Sequence, residues 1–523
     1  MSTIVAAEDG STSHSDARSL LDLLDGLPAF DDTPVLYTSA TMMTLGELRA
    51  AVVKLGEQIR AAGTGTGSPV GALVGPGGLG VIAMFAAWSA GAVYLPINRR
   101  STDAEIAALL AETPVEVVVG TSADLERIAS SATTAGLVAV DDTTWEVTVQ
   151  RRASSQVATP YDPDIALILR TSGTTGRPKA VLLRHRGTID ALDSSLRKLR
   201  RRKSGPREPQ PTIRVNLIPL SMAMWSGIFN TLFSLRAGFG VVLLERFGPT
   251  DLADAIRRHQ IRSTVLPPAL ITALCDSSEV SSLEPLEIVR SITAPLSPAT
   301  ARRFYERFGV LVLNSYGQTE LGGEVVGWSI DDIRQFGMSK LGAAGRPYDD
   351  VEVRIVDDDG VDVGPNQAGH ILIRSPFRMR GYATAGTTSA ADDRLVGEFI
   401  RTGDIGRLDP DGFLWIEGRV SDMINRGGLK VIPDEVEEVL RRHASVRDVA
   451  VAGVPDHRLG EVPVAWVVPA NDSVDPAELE AWCRAHLAPY KVPTEFLTVG
   501  SLPRSDAGKL LRRELRASYQ PKH

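Results

Sequence analysis

Apolar runs of strand length alternate with segments of helical length through much of the chain. Pro69 to Val74 is one such run, and a helix-like segment at 80–90 follows it. Ile165 to Leu169 is another, and it stands directly before a glycine-rich loop. Unbroken apolar runs of about four to eight residues are typical of strands covered on both faces. The alternation therefore predicts layered α/β structure.

The pattern changes twice towards the C-terminus. Between about residue 340 and residue 418, short runs such as VEVRIVDDDG, HILIRSP and GFLWIEG are separated by Gly and Asp, which predicts a β-rich subdomain. From Pro433, the helical pattern DEVEEVLRRH precedes the strand-like runs VRDVAVAGV and VPVAWVVPA and a helix near 476–487. We predict a loose leader at 1–30, a large N-terminal domain of layered α/β subdomains at 31–419, and a small α+β domain at 420–523.

The most apolar segment, Val81 to Ile97, is a candidate membrane span. It is short for a span, which needs about 20 residues, and it contains Ser89, Gly91 and Pro96. We therefore predict a buried helix. The first residues carry acidic side chains where a signal peptide needs a basic start.

Charge and cysteine usage narrow the class of protein. The formal net charge of -8 argues against a nucleic-acid partner, because such a surface repels a phosphate backbone. The two cysteines, Cys275 and Cys483, lie far apart and outside any metal-ligand spacing. This favours a reducing compartment, and we expect a cytoplasmic protein. The oligomeric state is not determined by the sequence, and a homodimer stays open.

The strongest local signal is a glycine- and hydroxyl-rich loop after the strand-like run IALILR. Glycines let a backbone approach an anion closely, amides and hydroxyls donate to its oxygens, and a lysine adds positive charge. It is not a Walker A loop, because the Gly-Lys-Ser/Thr ending is absent. A polar surface turn is the structural alternative. We predict a polyphosphate-binding loop made by Thr171, Ser172, Gly173, Thr174, Thr175, Gly176 and Lys179.

A second loop, GPGGLG at 75–80, matches the dinucleotide-binding pattern, and Arg99 and Arg100 stand where an NADP-binding arginine is sought. Pro76 removes a backbone donor from this loop, and no acidic residue ends the next strand. A nicotinamide-dependent reductase is therefore a weak alternative, which a cofactor-binding measurement would settle.

Seven motifs occur along the chain in one order: TSGTTGRPK at 171–179, NSYGQTE at 314–320, GRP at 345–347, RTGD at 401–404, GR at 418–419, NRGGLKV at 425–431 and LPRSDAGKLLR at 502–512. In these motifs, from about residue 35 to Leu515, the chain resembles the ANL superfamily of adenylate-forming enzymes, which includes acyl- and aryl-CoA synthetases. The resemblance implies a carboxylic acid:CoA ligase that uses ATP, Mg²⁺ and coenzyme A. It would form acyl-AMP and pyrophosphate first, and then acyl-CoA and AMP.

The resemblance also implies roles for single residues. Tyr316 would stack on adenine, Thr319 would donate to the α-phosphate, and Glu320 would hold Mg²⁺. Asp404 would accept both ribose hydroxyls, and Arg419 would reinforce ribose or phosphate. Further nucleotide-site candidates are Ala294, Pro295, Asn314, Gly317 and Gln318.

The C-terminal domain of such an enzyme works in two orientations. In the first, Lys509 would lie between the carboxylate and the α-phosphate. The domain would then swing about a hinge after Arg419, and Gly427 and Gly428 would line a pantetheine tunnel. Relatives commonly have Asp or Lys at the hinge position that is Ser421 here.

The acyl pocket is expected to be apolar. An α-ammonium would need an acidic partner, and no acidic residue occurs between Pro219 and Leu244, so ordinary α-amino acids are disfavoured. Apolar side chains suit an aryl or a short- to medium-chain acid, although half of them are equally compatible with core positions. The predicted pocket residues are Met222, Trp225, Gly227, Ile292 and Gly322.

Three questions stay open at this level. The basic run at 197–203 is either a solvated helix end or a surface that attracts coenzyme A or an acidic carrier protein. The thiol acceptor is coenzyme A or, as the alternative, the phosphopantetheine of an acyl carrier protein. A protein that only binds nucleotide is a third reading, against which Glu320 and Lys509 both weigh.

Overall fold

The computed structural model describes residues 19–39, 41–154, 160–171, 179–199, 210–384, 387–389, 394–471, 473–505 and 508–520. The helices in these ranges are α1 (Leu45–Ala61), α2 (Leu79–Ser89), α3 (Asp103–Glu112), α4 (Ser122–Ile128), α5 (His185–Leu199), α6 (Trp225–Arg236), α7 (Pro249–Arg258), α8 (Pro268–Asp276), α9 (Pro298–Phe308), α10 (Ile330–Phe336), α11 (Pro433–Arg441), α12 (Pro476–His486) and α13 (Arg512–Ser518).

The strands of the first half are β1 (Pro34–Tyr37), β2 (Met42–Thr44), β3 (Pro69–Val74), β4 (Val93–Asn98), β5 (Val117–Gly120), β6 (Gly136–Val140), β7 (Val147–Arg151), β8 (Ile165–Thr171), β9 (Lys179–Arg184), β10 (Val215–Ile218), β11 (Gly240–Leu243) and β12 (Ser263–Leu266). Those of the second half are β13 (Ile288–Ser291), β14 (Leu311–Asn314), β15 (Tyr316–Gln318), β16 (Gly323–Gly327), β17 (Arg346–Pro347), β18 (Glu352–Val356), β19 (Gly369–Arg374), β20 (Gly381–Thr384), β21 (Thr387–Ser389), β22 (Leu395–Val396), β23 (Phe399–Leu408), β24 (Leu414–Arg419), β25 (Ile424–Arg426), β26 (Leu429–Val431), β27 (Val446–Asp456), β28 (Gly460–Pro469) and β29 (Glu495–Thr498).

The largest sheet has nine strands in the order β21-β20-β9-β8-β4-β3-β5-β6-β7. Every residue of β3 and β5 is buried, as expected for parallel strands covered on both faces. The predicted strands at Pro69–Val74 and Ile165–Leu169 are therefore confirmed. At one side of this sheet β8 is parallel to β4, whereas β9 is antiparallel to both β8 and β20, and the predicted phosphate loop connects β8 to β9.

The apolar segment 81–97 is part helix and part strand. Helix α2 ends at Ser89, Gly91 adopts a φ of +76°, and β4 begins at Val93. A residue in the left-handed region stops a helix, and glycine reaches that region at no steric cost. The prediction of one buried helix is correct for the first half and wrong for the second. Within the described residues, none of the helices combines the length and the apolar character that crossing a membrane requires.

Smaller sheets contain several of the residues predicted for the nucleotide site. Parallel strands β12, β13 and β14 form one sheet, and β15, β16 and β17 form another. Because β13 and β14 are parallel, the segments that follow them, at 292–296 and 315–320, emerge at the same edge. Strands β18, β19, β22, β23 and β24 form the β-rich sheet that was predicted for 340–418.

The last sheet, with strands β25 to β29, packs against α11 and α12 and forms the α+β unit expected at the C-terminus. A short 3-10 helix, Val420–Asp422, connects it to β24, which ends at Arg419. The boundary between 419 and 420 stays a prediction. Cys275 and Cys483 are both free and buried, and burial raises their pKa to about 11 and about 12, respectively.

Candidate active site

The ends of the predicted phosphate loop lie side by side. Thr171 ends β8, Lys179 begins β9, and the two residues pair across the antiparallel ladder. The Nζ atom of Lys179 lies 4.9 Å from the ring centroid of Tyr382 in β20. Ser172, Gly173, Thr174, Thr175 and Gly176 lie outside the described residues, so their role stays a prediction.

Asp404 is the centre of a buried hydrogen-bond cluster. It is 3% exposed, and it pairs across β23 and β24 with Arg419, whose Nε atom lies 2.9 Å from Oδ1. Its Oδ2 atom accepts from the Tyr316 hydroxyl at 2.5 Å and from the Gln318 amide at 2.8 Å. Gln318 also donates to the carbonyl of Thr402 at 3.1 Å. The arrangement fixes the carboxylate and leaves acceptor capacity on Oδ1, since a carboxylate oxygen accepts two hydrogen bonds.

The charges in this cluster shift the pKa of its members. Burial and, after it, the Asp404 charge raise the pKa of Tyr316 well above its ordinary value. The same carboxylate raises the pKa of Arg419. The phenol is therefore a permanent donor, and the guanidinium is a permanent cation.

Lys509 joins this cluster from the other end of the chain. Burial and the charge of Arg419 lower its pKa, while Asp404 and Glu320 act in the opposite direction. Its segment is closed by a hydrogen bond from Ser505 N–H to the Lys509 carbonyl at 2.8 Å. Gly508, with a φ of +74°, lies so close to α8 that an added Cβ would stand 3.1 Å from the Cβ of Ala269. The structure therefore brings together the predicted residues Asp404, Glu320 and Lys509.

Glu320 lies in a 3-10 helix, Thr319–Leu321, and its side chain is 12% exposed. Its Oε1 atom is 3.4 Å from Nη1 of Arg394. No group of three or more Cys, His, Asp or Glu side chains in the described ranges forms a metal cage. Mg²⁺ is commonly held by one or two carboxylates together with water and substrate phosphates. The single carboxylate of Glu320 fits that donor set.

Asn314 has a structural use in addition to its predicted role. Its side-chain amide donates to the carbonyls of Leu296 and Gly342, both at 3.0 Å, and its Oδ1 accepts from Leu296 N–H at 3.3 Å. It thereby holds the loop that contains Ala294 and Pro295 against the end of β14. In the same loop Thr293 adopts a φ of +76°, which is unusual for a β-branched residue. A positive φ at such a residue stores backbone strain in this loop.

Three of the five predicted pocket residues, Met222, Trp225 and Ile292, belong to or pack against one apolar core, which also includes Tyr316. Trp225 lies 5.3 Å from Phe229, ring to ring. Met222 is 1% exposed, its sulfur accepts from the Thr231 hydroxyl at 3.3 Å, and an added Cβ at Gly80 would stand 2.5 Å from its Cβ. This close approach also explains the last glycine of GPGGLG without a dinucleotide.

The glycines of the predicted pocket are required by backbone packing. An added Cβ at Gly227 would stand 2.2 Å from the Ser221 carbonyl oxygen, and one at Gly322 would stand 2.2 Å from that of Phe377. Gly317 is equally tight, at 2.0 Å from the carbonyl oxygen of Gly323. These contacts require glycine at all three positions, whether or not the residues contact the substrate acid. The place of Gly227 and Gly322 in the pocket stays a prediction.

A buried polar network beneath β16 was missed by the sequence analysis. Arg290 lies 2.9 Å from Glu324 and donates to Asn230 of α6 at 3.1 Å. Glu324 also accepts from Ser315 at 3.0 Å and from the hydroxyl of Tyr348. The sequence held one indication of this network. Successive side chains of a strand point to opposite faces, so the alternation along β13 places Arg290 on the same face as Ile292.

Gly427 and Gly428 form the two-residue loop between β25 and β26, with φ values of +61° and +92°. Positive φ at both positions is the requirement of a type I′ hairpin, which glycine meets without strain. The turn therefore needs these glycines already, and the pantetheine tunnel stays a prediction.

The basic run is partly used by the fold. Arg197 pairs with Asp350, and Lys198 donates to the carbonyl of Pro347 at 3.2 Å. Burial lowers the pKa of Lys198. The rest of the run, from residue 200, lies outside the described residues, so attraction of coenzyme A or a carrier protein stays a prediction.

Comparison with known proteins agrees with this geometry. Residues 27–383 match the AMP-binding enzyme family, and residues 435–509 match the AMP-binding enzyme C-terminal domain. The chain is 32% identical to a feruloyl-CoA synthase of Amycolatopsis over 92% of its own length and 94% of the relative. It is 34% identical to the 2,3-dihydroxybenzoate-AMP ligase of Bacillus subtilis over 69% of its own length and 65% of that protein.

Its fold is similar to that of the o-succinylbenzoate CoA synthetase of Bacillus subtilis in complex with an acyl-adenylate intermediate. The TM-score is 0.79 at 27% identity, with 96% of this chain and 99% of that one covered. Both the large N-terminal domain and the small C-terminal domain are included in this agreement. The chain belongs to the AMP-binding enzymes, the ANL superfamily of adenylate-forming enzymes, and is an ATP-dependent acid–thiol ligase.

Proposed function

We propose that the protein activates an aryl carboxylic acid with ATP and transfers the acyl group to coenzyme A. In the first step an oxygen of the acid attacks the α-phosphorus, the bond to the β-phosphate oxygen breaks, and pyrophosphate leaves with the bonding electrons. In the second step the thiolate of coenzyme A attacks the acyl carbon, and AMP leaves. The nucleophiles belong to the substrates, so the protein positions reactants and stabilises charge.

The observation that carries the proposal is the position of Lys509. The side chain is partly buried, and the charges of Arg419, Asp404 and Glu320, which all belong to the N-terminal part of the chain, act on it. A buried ammonium is costly unless an anion accompanies it. The acid carboxylate and the α-phosphate are such anions, and the ammonium would attract them to one place as the new bond forms.

The Asp404 cluster would bind the nucleoside. Oδ1 of Asp404 keeps acceptor capacity for a ribose hydroxyl, and Arg419 lies beside it. The Tyr316 hydroxyl is engaged with Asp404, while its ring remains the surface for adenine. Thr319 would donate to the α-phosphate, and Asn314, Gly317 and Gln318 would hold this strand in place.

The phosphates of ATP would lie between the loop at 171–179 and Glu320. Lys179 supplies a cation at the end of the loop. Glu320 is the carboxylate that would hold a Mg²⁺ ion brought in with ATP, whose charge would offset that of the phosphates.

The second step needs a different arrangement, because Lys509 occupies the site in the present one. The 3-10 helix Val420–Asp422 is the connection about which the C-terminal domain would turn. The hairpin turn of Gly427 and Gly428 would then face the site and leave room for pantetheine.

The aryl class rests on the pocket and on the relatives. Trp225, Phe229 and Ile292 provide an apolar wall, and no acidic residue is present on α6 to pair with an α-ammonium. The feruloyl-CoA synthase that resembles this chain over nearly all of both lengths forms a CoA ester. The match to the AMP ligase covers a smaller share of that protein, 65%. Coenzyme A is therefore the favoured acceptor, and a carrier protein is the alternative.

The test is a panel of aryl and short- to medium-chain acids with ATP and Mg²⁺, with and without coenzyme A, followed as pyrophosphate release and acyl-CoA. We expect acyl-CoA from an aryl acid, and we expect Lys509→Ala to abolish the adenylate. Lys54→Ala, an exposed position on α1, is the matched control and should keep full activity. If the adenylate forms and no CoA thioester appears, the acyl acceptor would be a carrier protein. Absence of pyrophosphate release with every acid would contradict the proposal.

A further inference from the structure

An ion pair joins the β-rich sheet to the C-terminal domain. Nζ of Lys430, in β26, lies 2.7 Å from Oδ2 of Asp358, in the turn between β18 and β19. Oδ1 of the same carboxylate lies 2.9 Å from Nε2 of His370 in β19. The hydrogen bond from Lys430 and, after it, the one from His370 lower the pKa of Asp358 to about 2. A carboxylate that stays ionised at neutral pH therefore holds a lysine of the other domain.

The turn that contains Asp358 is fixed by its own hydrogen bonds. Oδ1 of Asp357 accepts from the N–H groups of Asp359 at 3.0 Å and Val361 at 2.9 Å. The N–H group of Gly360 donates to the Asp357 carbonyl at 3.2 Å. Strand β18 pairs with β19 along its whole length up to this turn. The carboxylate is thus presented to the C-terminal domain from a rigid support, as a positioning group requires.

Lys430 belongs to the hairpin of β25 and β26, where it pairs with Asn425. The turn of this hairpin is Gly427 and Gly428. An added Cβ at Gly428 would meet no atom of the described residues within 4 Å, and one at Gly427 would meet only Leu459, a residue of the same domain. In this orientation the hairpin therefore contacts the N-terminal domain through the lysine, and its turn lies away from that domain.

We propose that Asp358 and Lys430 are positioning residues for adenylation, whose ion pair holds the C-terminal domain in the orientation that brings Lys509 to the site. For the turn of Gly427 and Gly428 to face the site, the hairpin must move as one body, so Lys430 must leave Asp358. The pair would therefore be closed in the first half-reaction and open in the second. The inference rests on the proposed function, because it assigns the contact to one of the two orientations that this function needs.

The strength of the pair suits such a role. Both side chains are largely exposed, Lys430 to 54% and Asp358 to 69%. Pairs of this kind shift an equilibrium by about two- to fivefold. That is enough to favour one orientation and too little to prevent the other, and an enzyme that works in two orientations must be able to leave each of them. Reversal of one charge replaces attraction by repulsion and should have a larger effect.

Two other roles make different predictions. If the pair only stabilises the fold, its loss lowers the rates of both half-reactions alike. If Lys430 instead binds a phosphate of coenzyme A after the domain has turned, Lys430→Gln raises the KM for coenzyme A and Asp358→Asn does not. If the two residues position the domain, both variants slow adenylation relative to thioester formation, and neither raises the KM for coenzyme A.

Distances between spin labels measure the orientation directly and without turnover. Lys54→Cys on α1 and Ala477→Cys on α12 place one label at an exposed position of each domain. The native Cys275 and Cys483 are buried and have a raised pKa, so they react slowly with a thiol-specific label. Double electron–electron resonance on the labelled full chain then gives the ratio of the present orientation to all others.

We expect Lys430→Gln and Asp358→Asn each to lower this ratio about two- to fivefold, and Lys430→Glu to lower it further. The double reversal, Asp358→Lys with Lys430→Glu, should restore it. Arg354→Gln is the matched control, because Arg354 pairs with Asp362 at 2.8 Å beside the same turn and within the N-terminal domain. It should leave the ratio unchanged.

Single-turnover rates connect the orientation to the chemistry. In Lys430→Glu, adenylate formation should slow, as followed by pyrophosphate release without coenzyme A, whereas thioester formation from the preformed adenylate should not. An unchanged distance distribution in Lys430→Glu, equal losses in both half-reactions, or a rise in the KM for coenzyme A confined to Lys430→Gln would overturn the inference. Absence of pyrophosphate release in the wild type with every acid would refute the proposed function instead, and the distance measurement would still decide whether the pair holds the domain.

Discussion

The hydroxyl of Tyr316 donates to Oδ2 of Asp404 at 2.5 Å, although 88 positions separate the two residues in the chain. The sequence predicted that Tyr316 contacts adenine and that Asp404 contacts the ribose. The bond joins the two predicted subsites into one unit, with Gln318 as a second donor to the same oxygen. A nucleoside bound here would meet a preorganised carboxylate, so less of the binding free energy would be lost in ordering side chains.

The first prediction separates the two partners of this bond. Asp404→Asn removes the charge and should lower kcat/KM for ATP roughly 100-fold, since it weakens charge-assisted hydrogen bonds worth about 1.5–3 kcal/mol each. Tyr316→Phe keeps the ring and loses one hydrogen bond, so about a fivefold loss is expected. Steady-state kinetics with varied ATP measure both. A larger loss in Tyr316→Phe than in Asp404→Asn would show that the hydroxyl, and not the carboxylate, meets the nucleotide.

Sequence reasoning found the residues of this unit because they lie in short motifs of fixed order. It did not find the contacts between them, because Tyr316 and Asp404 meet only when β15 and β23 come together. For the same reason it missed Glu324, whose partners Arg290, Ser315 and Tyr348 lie on other elements. Local patterns determine strands and helices, but side-chain pairing is a property of the tertiary fold.

Orientation was the second limit. Met222 stands in the expected pocket segment and is buried against Gly80 and Thr231, contacts that its sequence position does not reveal, and its place in the pocket stays a prediction. In the segment 81–97, apolar character alone did not separate helix from strand. The glycine at 91 marks the change, since it ends α2 and allows β4 to begin.

The second prediction concerns the Arg290–Glu324 pair. The side chains are only 16% and 12% exposed, so removal of one charge leaves the other buried and uncompensated. Arg290→Met and Glu324→Gln should each destabilise the fold by about 3–5 kcal/mol, and the double variant should recover part of this loss. Chemical unfolding measures the cycle. Arg374→Met, from an exposed pair, is the control and should cost less than about 1 kcal/mol. Additive losses in the double variant would argue against direct coupling.

The third prediction follows from the lowered pKa of Lys509. Adenylation requires the ammonium form, so kcat/KM for ATP should fall with rising pH, about tenfold per pH unit, at a pH below the ordinary 10.5 of lysine. Lys509→Arg keeps its charge throughout this range. It should be slower, with the alkaline decline absent. An identical decline in both proteins would assign the titration to another group.

The fourth prediction tests the turn of Gly427 and Gly428. Asn tolerates positive φ, and an added Cβ at Gly428 would have no atom within 4 Å. Gly428→Asn should therefore fold normally and keep pyrophosphate release unchanged, but should slow thioester formation at least tenfold if the turn lines the pantetheine path. Gly360→Asn is the matched control, at a φ of +83° in the turn between β18 and β19, with equally open space. Equal thioester rates in the two variants would remove Gly428 from the tunnel.

The last prediction concerns His185, the first residue of α5. Its ring lies 5.5 Å from that of Trp88, and its Nδ1 atom accepts from Leu20 N–H at 3.1 Å. Burial lowers its pKa from 6.5 to about 4, against the smaller opposing effects of Asp164 and Asp22. The hydrogen bond also requires an unprotonated Nδ1, so the neutral ring holds Leu20 in place.

The sign of the pH effect follows from proton uptake. Between pH 6.5 and about 4 the unfolded chain binds a proton at His185 that the folded chain does not bind. Stability is therefore full above this window and is lost as the pH falls through it, by up to about 3 kcal/mol. In His185→Gln the amide oxygen accepts from Leu20, and no proton is taken up. The variant should lose less stability than the wild type between pH 7 and pH 4, as measured by unfolding midpoints. His457→Gln, at an exposed position, should follow the wild type. Parallel pH curves for His185→Gln and wild type would show that this imidazole does not contribute to acid sensitivity.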